Sequence, residues 1–244
     1  MLGPLRLTRE TGPVVLPAGR ASAAVCWLVA NAGEPVSSAE LAAVLWPTAP
    51  PDAASRVGAL LRSIASSLED LSLVPATVLR AAPQEIDARQ FADGVREGVR
   101  LAARGERGPA LARLDEALAI WRGDPYPELE RALPAIALID ELIELRLRAI
   151  EERFGLLLAG RVDYALVGEL SSAAIRHPER RRLRHQLALA HYRTGRQVEA
   201  LQTIEAVRRD LADAPDTALL HMAILQQSPE LDRGEVPSAR PGEL

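Results

Sequence analysis

Apolar residues recur along most of this chain at steps of three and four, which is the spacing of one face of an α-helix. From about residue 86 to residue 227 the pattern is nearly unbroken and predicts helices in successive antiparallel pairs. The longest predicted helix begins at Pro134 and ends near Ala159. Its apolar stripe consists of Ile136, Ile139, Ile143, Leu147, Ile150, Phe154 and Leu157. We therefore expect this part of the chain to be all-α.

The first 84 residues have a different pattern. Gly12-Pro13 separates two predicted strands, and an apolar helix, two amphipathic helices and an extended segment follow. The predicted elements are strands at 5–9 and 14–16, helices at 20–31, after Ser37 and after Asp52, and an extended segment at 72–85. This order is typical of a winged helix-turn-helix domain, which we place at residues 1–84.

The second and third of these helices have clear start signals. Ser37 and Glu40 fit a capping box, and Asp52 is a good N-cap residue. The predicted inward residues are Leu41, Val44, Leu45 and Trp46 on the second helix, and Val57, Leu60, Leu61, Ile64 and Leu68 on the third.

One short sequence motif recurs three times in the later part of the chain. A glycine is followed five residues later by Ala-Leu, with the glycines at 105, 160 and 195 and the alanines at 110, 165 and 200. The glycine suits a turn with positive φ, and the alanine suits the place where two helices touch. This repeat indicates tetratricopeptide-like helix pairs. In the second copy Glu169 and Ser172 stand where apolar residues are expected, so its register stays open.

Composition narrows the class of protein. Hydrophobic residues make up 48% of the chain but aromatic residues only 3%, so aliphatic side chains must fill the core. All 29 basic residues are arginines and the net charge is −4, so the whole chain has no general attraction to nucleic acid.

The single cysteine, Cys26, lies in an apolar run and is expected to be a buried thiol. Neither a signal peptide nor a long apolar run is found, so we expect a cytoplasmic protein without membrane contact.

Three short motifs go beyond a generic repeat. They are Leu45-Trp46-Pro47, Trp121-Arg122-Gly123, and Tyr192-Arg193 followed by Gly195-Arg196-Gln197. With these motifs the chain resembles, over residues 2–227, the actinobacterial antibiotic regulatory protein (SARP) family. The resemblance implies a winged helix that binds promoter DNA and a bacterial transcriptional activator domain (BTAD), here at 86–227, that dimerises and contacts RNA polymerase. It implies a pathway-specific transcriptional activator of antibiotic biosynthesis with no catalytic module.

The expected DNA contacts are few. Arg56 and Arg62 lie on the third predicted helix, six residues apart and so about 240° around its axis. Arg80 is expected to contact a phosphate from a shortened wing. Residues 1–84 hold six arginines and six acids, so this segment has no net positive charge. Positive charge matters because neutralisation of phosphates dominates DNA affinity. This balance of charge would weaken DNA binding. Two interpretations therefore stay open, namely a winged helix that binds DNA and a degenerate winged helix on a protein-interaction scaffold or adaptor.

The most basic stretch lies between Arg176 and Arg196, where seven arginines accompany one acid, Glu179. One interpretation is a helix face that pairs with acids of the long helix, namely Asp140, Glu141, Glu144, Glu151 and Glu152. The other is a binding surface for DNA, an acidic partner or a second subunit, formed by Arg180, Arg181, Arg184, Arg193 and Arg196.

No reaction centre is indicated. The four histidines, at 177, 185, 191 and 221, do not form a ligand set, so we expect no metal, and no phosphate-binding loop points to a cofactor. Trp46 and Trp121 are expected to anchor the core, and residues 228–244 to form a disordered tail. The expected partners are promoter DNA, a second copy of the chain, and RNA polymerase or another regulatory protein.

Overall fold

The computed structural model describes residues 1–9, 12–14, 16, 18–67, 85–211 and 214–233, with the backbone alone at residues 9, 14, 66 and 67. Within these ranges the fold is mainly α, which confirms the predicted fold class. Nearly all of the predicted extended segment at 72–85 lies outside the described residues, as does the chain beyond residue 233. The winged-helix assignment therefore stays a prediction.

Two short strands pair near the start of the chain. Strand β1 spans Leu7–Arg9 and strand β2 spans Gly12–Val14, antiparallel, with Leu7 opposite Val14. The predicted break at Gly12-Pro13 is wrong, because both residues lie within β2. A two-stranded ribbon tolerates proline because each strand has an outer edge where a missing N–H breaks no ladder hydrogen bond.

Three helices follow, and they are those that the sequence predicts. Helix α1 spans Arg20–Ala30, α2 spans Ser38–Leu45 and α3 spans Ala53–Ser67. The capping box is present, since the Ser37 hydroxyl accepts a hydrogen bond from Glu40 N and the Glu40 carboxylate accepts one from Ser37 N. Helix α2 therefore begins where its local sequence signal places it.

The three helices pack on one another around a shared apolar interior. They bury Leu28, Leu41 and Val57, one from each helix. Of the other inward residues predicted on α3, Ile64 is buried and the leucines at 60 and 61 are half-buried. Leu68 lies outside the described residues. The predicted inner face of α3 is thus present along most of the helix.

The remaining helices run nearly without interruption. They are α4 (Asp87–Ala103), α5 (Arg107–Ala119), α6 (Ile136–Leu158), α7 (Tyr164–Arg176), α8 (Arg181–Arg193), α9 (Gln197–Asp210), α10 (Pro215–Leu225) and α11 (Pro229–Asp232). Two short 3-10 turns, Pro127–Leu129 and Leu133–Ala135, precede α6, so Pro134 lies just before the helix that it was expected to begin. Helix α11 corrects the predicted tail, because Leu231 is fully buried where disorder was expected. Among the helices that the structure describes, none has the length and apolar character needed to cross a membrane.

The three repeat glycines do not share one role. Gly105 and Gly195 both have φ +78°, the left-handed conformation that the sequence predicts. Gly160 is not among the residues with positive φ, and a Cβ at this position would overlap the guanidinium of Arg107. Gly160 therefore makes room for a neighbouring side chain instead of providing a left-handed turn.

The second repeat copy is shifted by one residue. Its alanine, Ala165, is exposed, whereas the alanines of the other two copies are fully buried as expected. The turn is longer here, because Asp163 caps α7 by accepting a hydrogen bond from Leu166 N. The buried positions of the copy are consequently Leu166, Leu170 and Ala173. This shift leaves the polar residues at 169 and 172 exposed, which settles the register that the sequence left open.

The chain divides into two compact units. The first unit comprises Met1–Gly98 and Arg113–Leu147, and the second comprises Val99–Ala112 and the described residues from Arg148 onward. Helices α4, α5 and α6 each contribute residues to both units. The predicted division near residue 85 stays a prediction from sequence pattern.

The first unit contains both tryptophans that were expected to anchor the core. Trp121 is half-buried, packs edge-on against Phe91 with ring centroids 5.4 Å apart, and lies under the guanidinium of Arg146 at 4.5 Å. Trp46 is also half-buried, and the guanidinium of Arg20 lies 5.1 Å from its ring centroid. Both rings therefore pack at the edge of the core, each with a guanidinium on its face.

The cysteine is also part of this packing. Cys26 is fully buried, as the sequence predicts, and its Sγ donates a hydrogen bond to Glu128 Oε2 at 3.4 Å. Burial and the nearby negative charge of Glu128 both raise the pKa of the Cys26 thiol. The thiol therefore stays protonated and unreactive at neutral pH.

Candidate nucleic-acid interface and arginine-rich helix

Helix α3 exposes a strip of small side chains between two arginines. Val57 and Ile64 are buried on the inner side of the helix. The exposed residues are Ala54, Ser55, Arg56, Ala59, Arg62 and Ser63. Arg56 and Arg62 lie about 120° apart on this outer side. The predicted separation of about 240° is the same angle, measured in the opposite direction around the helix axis. The two predicted contacts therefore flank one exposed face.

The charge of Arg56 is partly engaged within its own helix turn. Its Nε donates a hydrogen bond to Asp52 Oδ1 at 2.8 Å, and both side chains are more than half exposed. This hydrogen bond lowers the pKa of Asp52. Water screens an exposed pair of this kind, so it exchanges readily for another anion. This hydrogen bond uses only Nε of a guanidinium that has five N–H donors, so Arg56 can still contact a phosphate, with its positive charge partly offset by Asp52.

Of the other two predicted DNA contacts, the structure describes only Arg62. Arg62 is exposed and lies along α3 toward Gly58, where a Cβ would be 3.6 Å from its Nη1. The absence of a side chain at Gly58 lets this guanidinium lie close to the helix surface. Arg80 lies outside the described residues.

Three arginines at the start of α8 form ion pairs within the second unit. Arg180 pairs with Glu151 at 2.9 Å, Arg182 with Glu152 at 2.5 Å, and Arg184 with Asp210 at 2.8 Å. The two glutamates are among the five acids of the long helix that the sequence suggested. Asp210, at the end of α9, could not be predicted as a partner, because no periodic pattern connects the ends of two different helices.

Two further arginines act at the carboxyl end of α6. Arg193 donates a hydrogen bond to the carbonyl oxygen of Leu158, and Arg107 donates one to that of Leu157 at 3.3 Å. The last carbonyls of a helix have no partner within the helix and carry partial negative charge, so guanidinium groups stabilise them. The role of Arg107 could not be predicted, because nothing in the local pattern shows that the first repeat turn lies against the end of α6.

The last two residues of the predicted arginine surface lie at opposite ends of α8. Arg196 follows the helix, and its guanidinium lies 5.6 Å from the ring centroid of Tyr164, a side chain that is 70% exposed. Arg181, in the first turn, is half-buried and is close enough to His185 to influence its pKa. The structure thus brings Arg180, Arg184 and Arg193 into ion pairs or hydrogen bonds within the second unit, and it places an exposed aromatic beside Arg196.

One histidine of α8 is deeply buried. His185 is 4% exposed, and its Nε2 lies 3.0 Å from the hydroxyl of Thr217. Burial, together with the positive charge of Arg181, lowers the pKa of His185 to about 4. His185 is therefore a neutral packing residue at physiological pH. Within the described ranges, no group of three or more His, Cys, Asp or Glu side chains is placed to hold a metal ion.

The motif around Trp121 ties distant segments of the first unit together. Arg122 donates hydrogen bonds from Nη2 to Asp87 Oδ2 at 2.9 Å and from Nη1 to the carbonyl oxygen of Pro4 at 3.2 Å. Its backbone N–H donates to the carbonyl oxygen of Leu2 at 2.8 Å. A Cβ on Gly3 would lie 3.0 Å from the Cβ of Arg122, so a glycine is needed at this crossing. The motif thus has a structural role in joining the start of the chain to α4.

Three packed amino-terminal helices followed by glycine-turn helix pairs are an arrangement typical of binding and regulatory proteins. Residues 86–225 match the family described as "Bacterial transcriptional activator domain", so the chain belongs to that family and is a transcriptional regulator. The resemblance to the SARP family is thereby confirmed.

Individual relatives agree with this assignment. The chain is 32% identical to the regulatory protein DnrI of Streptomyces peucetius, over 98% of this chain and 96% of DnrI. It is 31% identical to the transcriptional regulatory protein EmbR of Mycobacterium tuberculosis, over 94% of this chain and 63% of EmbR. A solved structure of EmbR in complex with a low-affinity phosphopeptide superposes with a TM-score of 0.86 at 27% identity, over 96% of this chain and 65% of that one. The present chain therefore spans about two thirds of EmbR.

Proposed function

We propose that this protein activates transcription of a biosynthetic pathway by binding promoter DNA with helix α3. The observation that supports the proposal is the outer face of α3, where small side chains lie between Arg56 and Arg62. Small residues allow a helix to approach base edges in the major groove, and flanking arginines can reach phosphates on either side. The predicted wing, with Arg80, would add a further phosphate contact.

The proposed DNA binding is weak for a single copy. Two cations on α3 neutralise few phosphates, and residues 1–84 carry as many acids as arginines. A homodimer on a direct repeat would add the contributions of two α3 helices, because both then bind one DNA molecule. We therefore include homodimerisation, in the cytoplasm, as part of the proposal.

The helical repeats are proposed to contact the transcription machinery or another regulatory protein. Arg180, Arg184 and Arg193 already make internal contacts, so their main contribution is to fix the repeat geometry. Tyr164 and Val198, which are 70% and 65% exposed, offer apolar surface at the repeat turns. Tyr164 also has the guanidinium of Arg196 on its ring. An exposed aromatic with a neighbouring arginine is the kind of anchor that protein interfaces use.

The test is selection of DNA fragments by the purified protein, followed by fluorescence anisotropy on the selected sequence at about 50 mM and 150 mM salt. Arg62→Ala is expected to weaken binding about tenfold or more, because a charge-assisted hydrogen bond from a guanidinium to a phosphate is worth roughly 1.5–3 kcal/mol. Arg104→Ala, an exposed arginine of the second unit, is the matched control. Selection of no sequence at about 50 mM salt, or equal binding by wild type and Arg62→Ala, would reject DNA reading by α3.

A second candidate function is a protein-interaction adaptor whose helix-turn-helix no longer binds DNA. The ion pair between Arg56 and Asp52 favours it, because Asp52 both occupies a cation and repels phosphate. In this case, co-purification from the native host would recover a partner protein in stoichiometric amount, whereas the DNA selection would remain empty.

A further inference from the structure

The first unit contains a cavity that the proposed function does not use. It has a volume of about 610 Å³ and lies among α1, α2 and the segment at 128–133. Cavities of roughly 300–1,000 Å³ are the size that accommodates a small organic ligand. Its walls include the two helices, α1 and α2, against which α3 packs.

Most of the cavity wall is apolar. Ala23 of α1, Ala43 and Leu45 of α2, and Leu133 of the 3-10 turn before α6 contribute to the lining. Leu133 is 79% exposed, and it therefore leaves apolar surface open to solvent at the cavity. A ligand with a hydrocarbon or aromatic body would cover this surface, and removing it from water would favour binding.

The charged lining consists of two arginines and one glutamate, and the glutamate is already satisfied. Glu128 Oε1 accepts a hydrogen bond from Leu5 N at 2.7 Å, and Oε2 accepts one from Cys26 Sγ at 3.4 Å. Each oxygen thus has one neutral donor from the protein, and the lining as a whole, with two arginines and one glutamate, has a net formal charge of +1. The charged groups that can meet a ligand are the guanidinium groups of Arg20 and Arg131, both of which are exposed.

Arg20 also has a neighbour that favours its position at the cavity. Its guanidinium lies over the ring of Trp46 at 5.1 Å from the centroid. A cation–π contact does not use up the five N–H donors of a guanidinium, so they can still bind an anion. A carboxylate at the cavity mouth would thus meet these donors, with Arg131 as a second positive charge.

We propose that this cavity binds a small amphipathic anion, with an apolar body against α1, α2 and Leu133 and a carboxylate or sulfonate head at Arg20 and Arg131. The inference does not depend on DNA binding by α3. Leu45 and Pro47 line the cavity at the start of the connection between α2 and α3. A bound ligand would therefore contact this connection and restrict its motion.

The probe is decanoate, titrated into the full chain by isothermal calorimetry below its micelle concentration, with decyltrimethylammonium as the probe of opposite charge. We expect saturable binding of decanoate at one site, and binding of the cation at least about tenfold weaker. Arg20→Ala and Arg131→Ala are each expected to weaken decanoate binding about tenfold, whereas the control Arg104→Ala should leave it unchanged.

A second pair of variants tests the location. Ala43 is exposed and lines the cavity, so Ala43→Trp would fill it with little effect on the core. Ala218→Trp, at an exposed position on α10, adds the same side chain outside the cavity. Loss of binding in the first variant alone supports the proposal, and if that variant does not fold, the two arginine variants decide. The proposal is overturned by non-saturable decanoate binding, by equal binding of the cation, or by folded cavity variants that bind like wild type.

Discussion

The guanidinium of Arg180 lies 2.9 Å from the carboxylate of Glu151, and the two side chains are only 19% and 5% exposed. This pair joins the start of α8 to the later part of α6. A charge in such a setting is costly without its partner, because little water reaches it. The arginine-rich segment therefore includes a residue whose role is internal.

Removing this arginine tests that role. Arg180→Ala is expected to lower the free energy of unfolding by about 2–4 kcal/mol, because it leaves a nearly buried carboxylate unpaired. Urea denaturation followed by circular dichroism measures the change. Arg182→Ala is the matched control, since the Arg182–Glu152 pair is more exposed and such pairs contribute about 0–1 kcal/mol. Equal losses in the two variants would contradict the internal role of Arg180.

The buried histidine predicts a pH dependence. The pKa of His185 is about 4 in the folded chain, against an ordinary value of 6.5, so the unfolded chain takes up the proton first. Its contribution to stability is therefore complete above about pH 6.5 and is lost as the pH falls toward 4, by about 3 kcal/mol in all. Urea midpoints between about pH 7 and pH 4 should fall less steeply for His185→Gln than for wild type.

The control for this prediction is His177→Gln, which changes a partly exposed histidine. This variant should keep the pH dependence of the wild type. A His185→Gln variant that is as sensitive to acid as the wild type would show that carboxylates, and not this histidine, cause the loss.

A glycine contact between α4 and α5 gives a packing test. A Cβ on Gly94 would lie 2.9 Å from the Cβ of Ala117, which is fully buried. Gly94→Ala is therefore expected to destabilise the chain by about 1–3 kcal/mol, because the two helices must move apart. In Gly168→Ala, on α7, the new Cβ meets no atom within 4 Å. That control should gain about 0.5–1 kcal/mol from helix propensity, and a loss of stability there would contradict the argument.

The salt dependence of DNA binding tests the number of phosphate contacts. The two α3 arginines and the proposed wing contact of Arg80 predict a slope of log affinity against log salt of about −2.7 per copy, from about 0.9 for each of the three contacts. Arg62→Ala should reduce the magnitude of this slope by about 1, and Arg104→Ala should not change it. Anisotropy titrations at several salt concentrations measure both slopes. A slope that Arg62→Ala leaves unchanged would place the cations that bind DNA elsewhere in the chain.

Some features follow directly from the printed residues. The capping box at Ser37 and Glu40 and the left-handed glycines at 105 and 195 were predictable, because each depends on residues within one turn. The family was predictable as well, since Trp121-Arg122-Gly123 and the motif around Gly195 occur together and in order.

Other features were not predictable, because they depend on residues far apart in the chain. The shift of the second repeat becomes visible only from which side chains are buried, and the packing of Arg107 against Gly160 joins two different turns. Local periodicity does not report which turn lies beside which. The same limit applies to the cavity, since Arg20 and Arg131 are more than a hundred residues apart.

Local pattern alone was enough to establish the helix pairs, because helix periodicity, capping and turn glycines act over a few residues and are visible in the chain. The regulatory function followed from the resemblance of three motifs to a known family, which the family match then confirmed. Three-dimensional packing was needed to learn which charges are engaged inside the protein and which remain at its surface. An arginine can stabilise the end of a helix, as Arg193 does, or stand exposed, as Arg62 does, and the difference lies in what packs beside it.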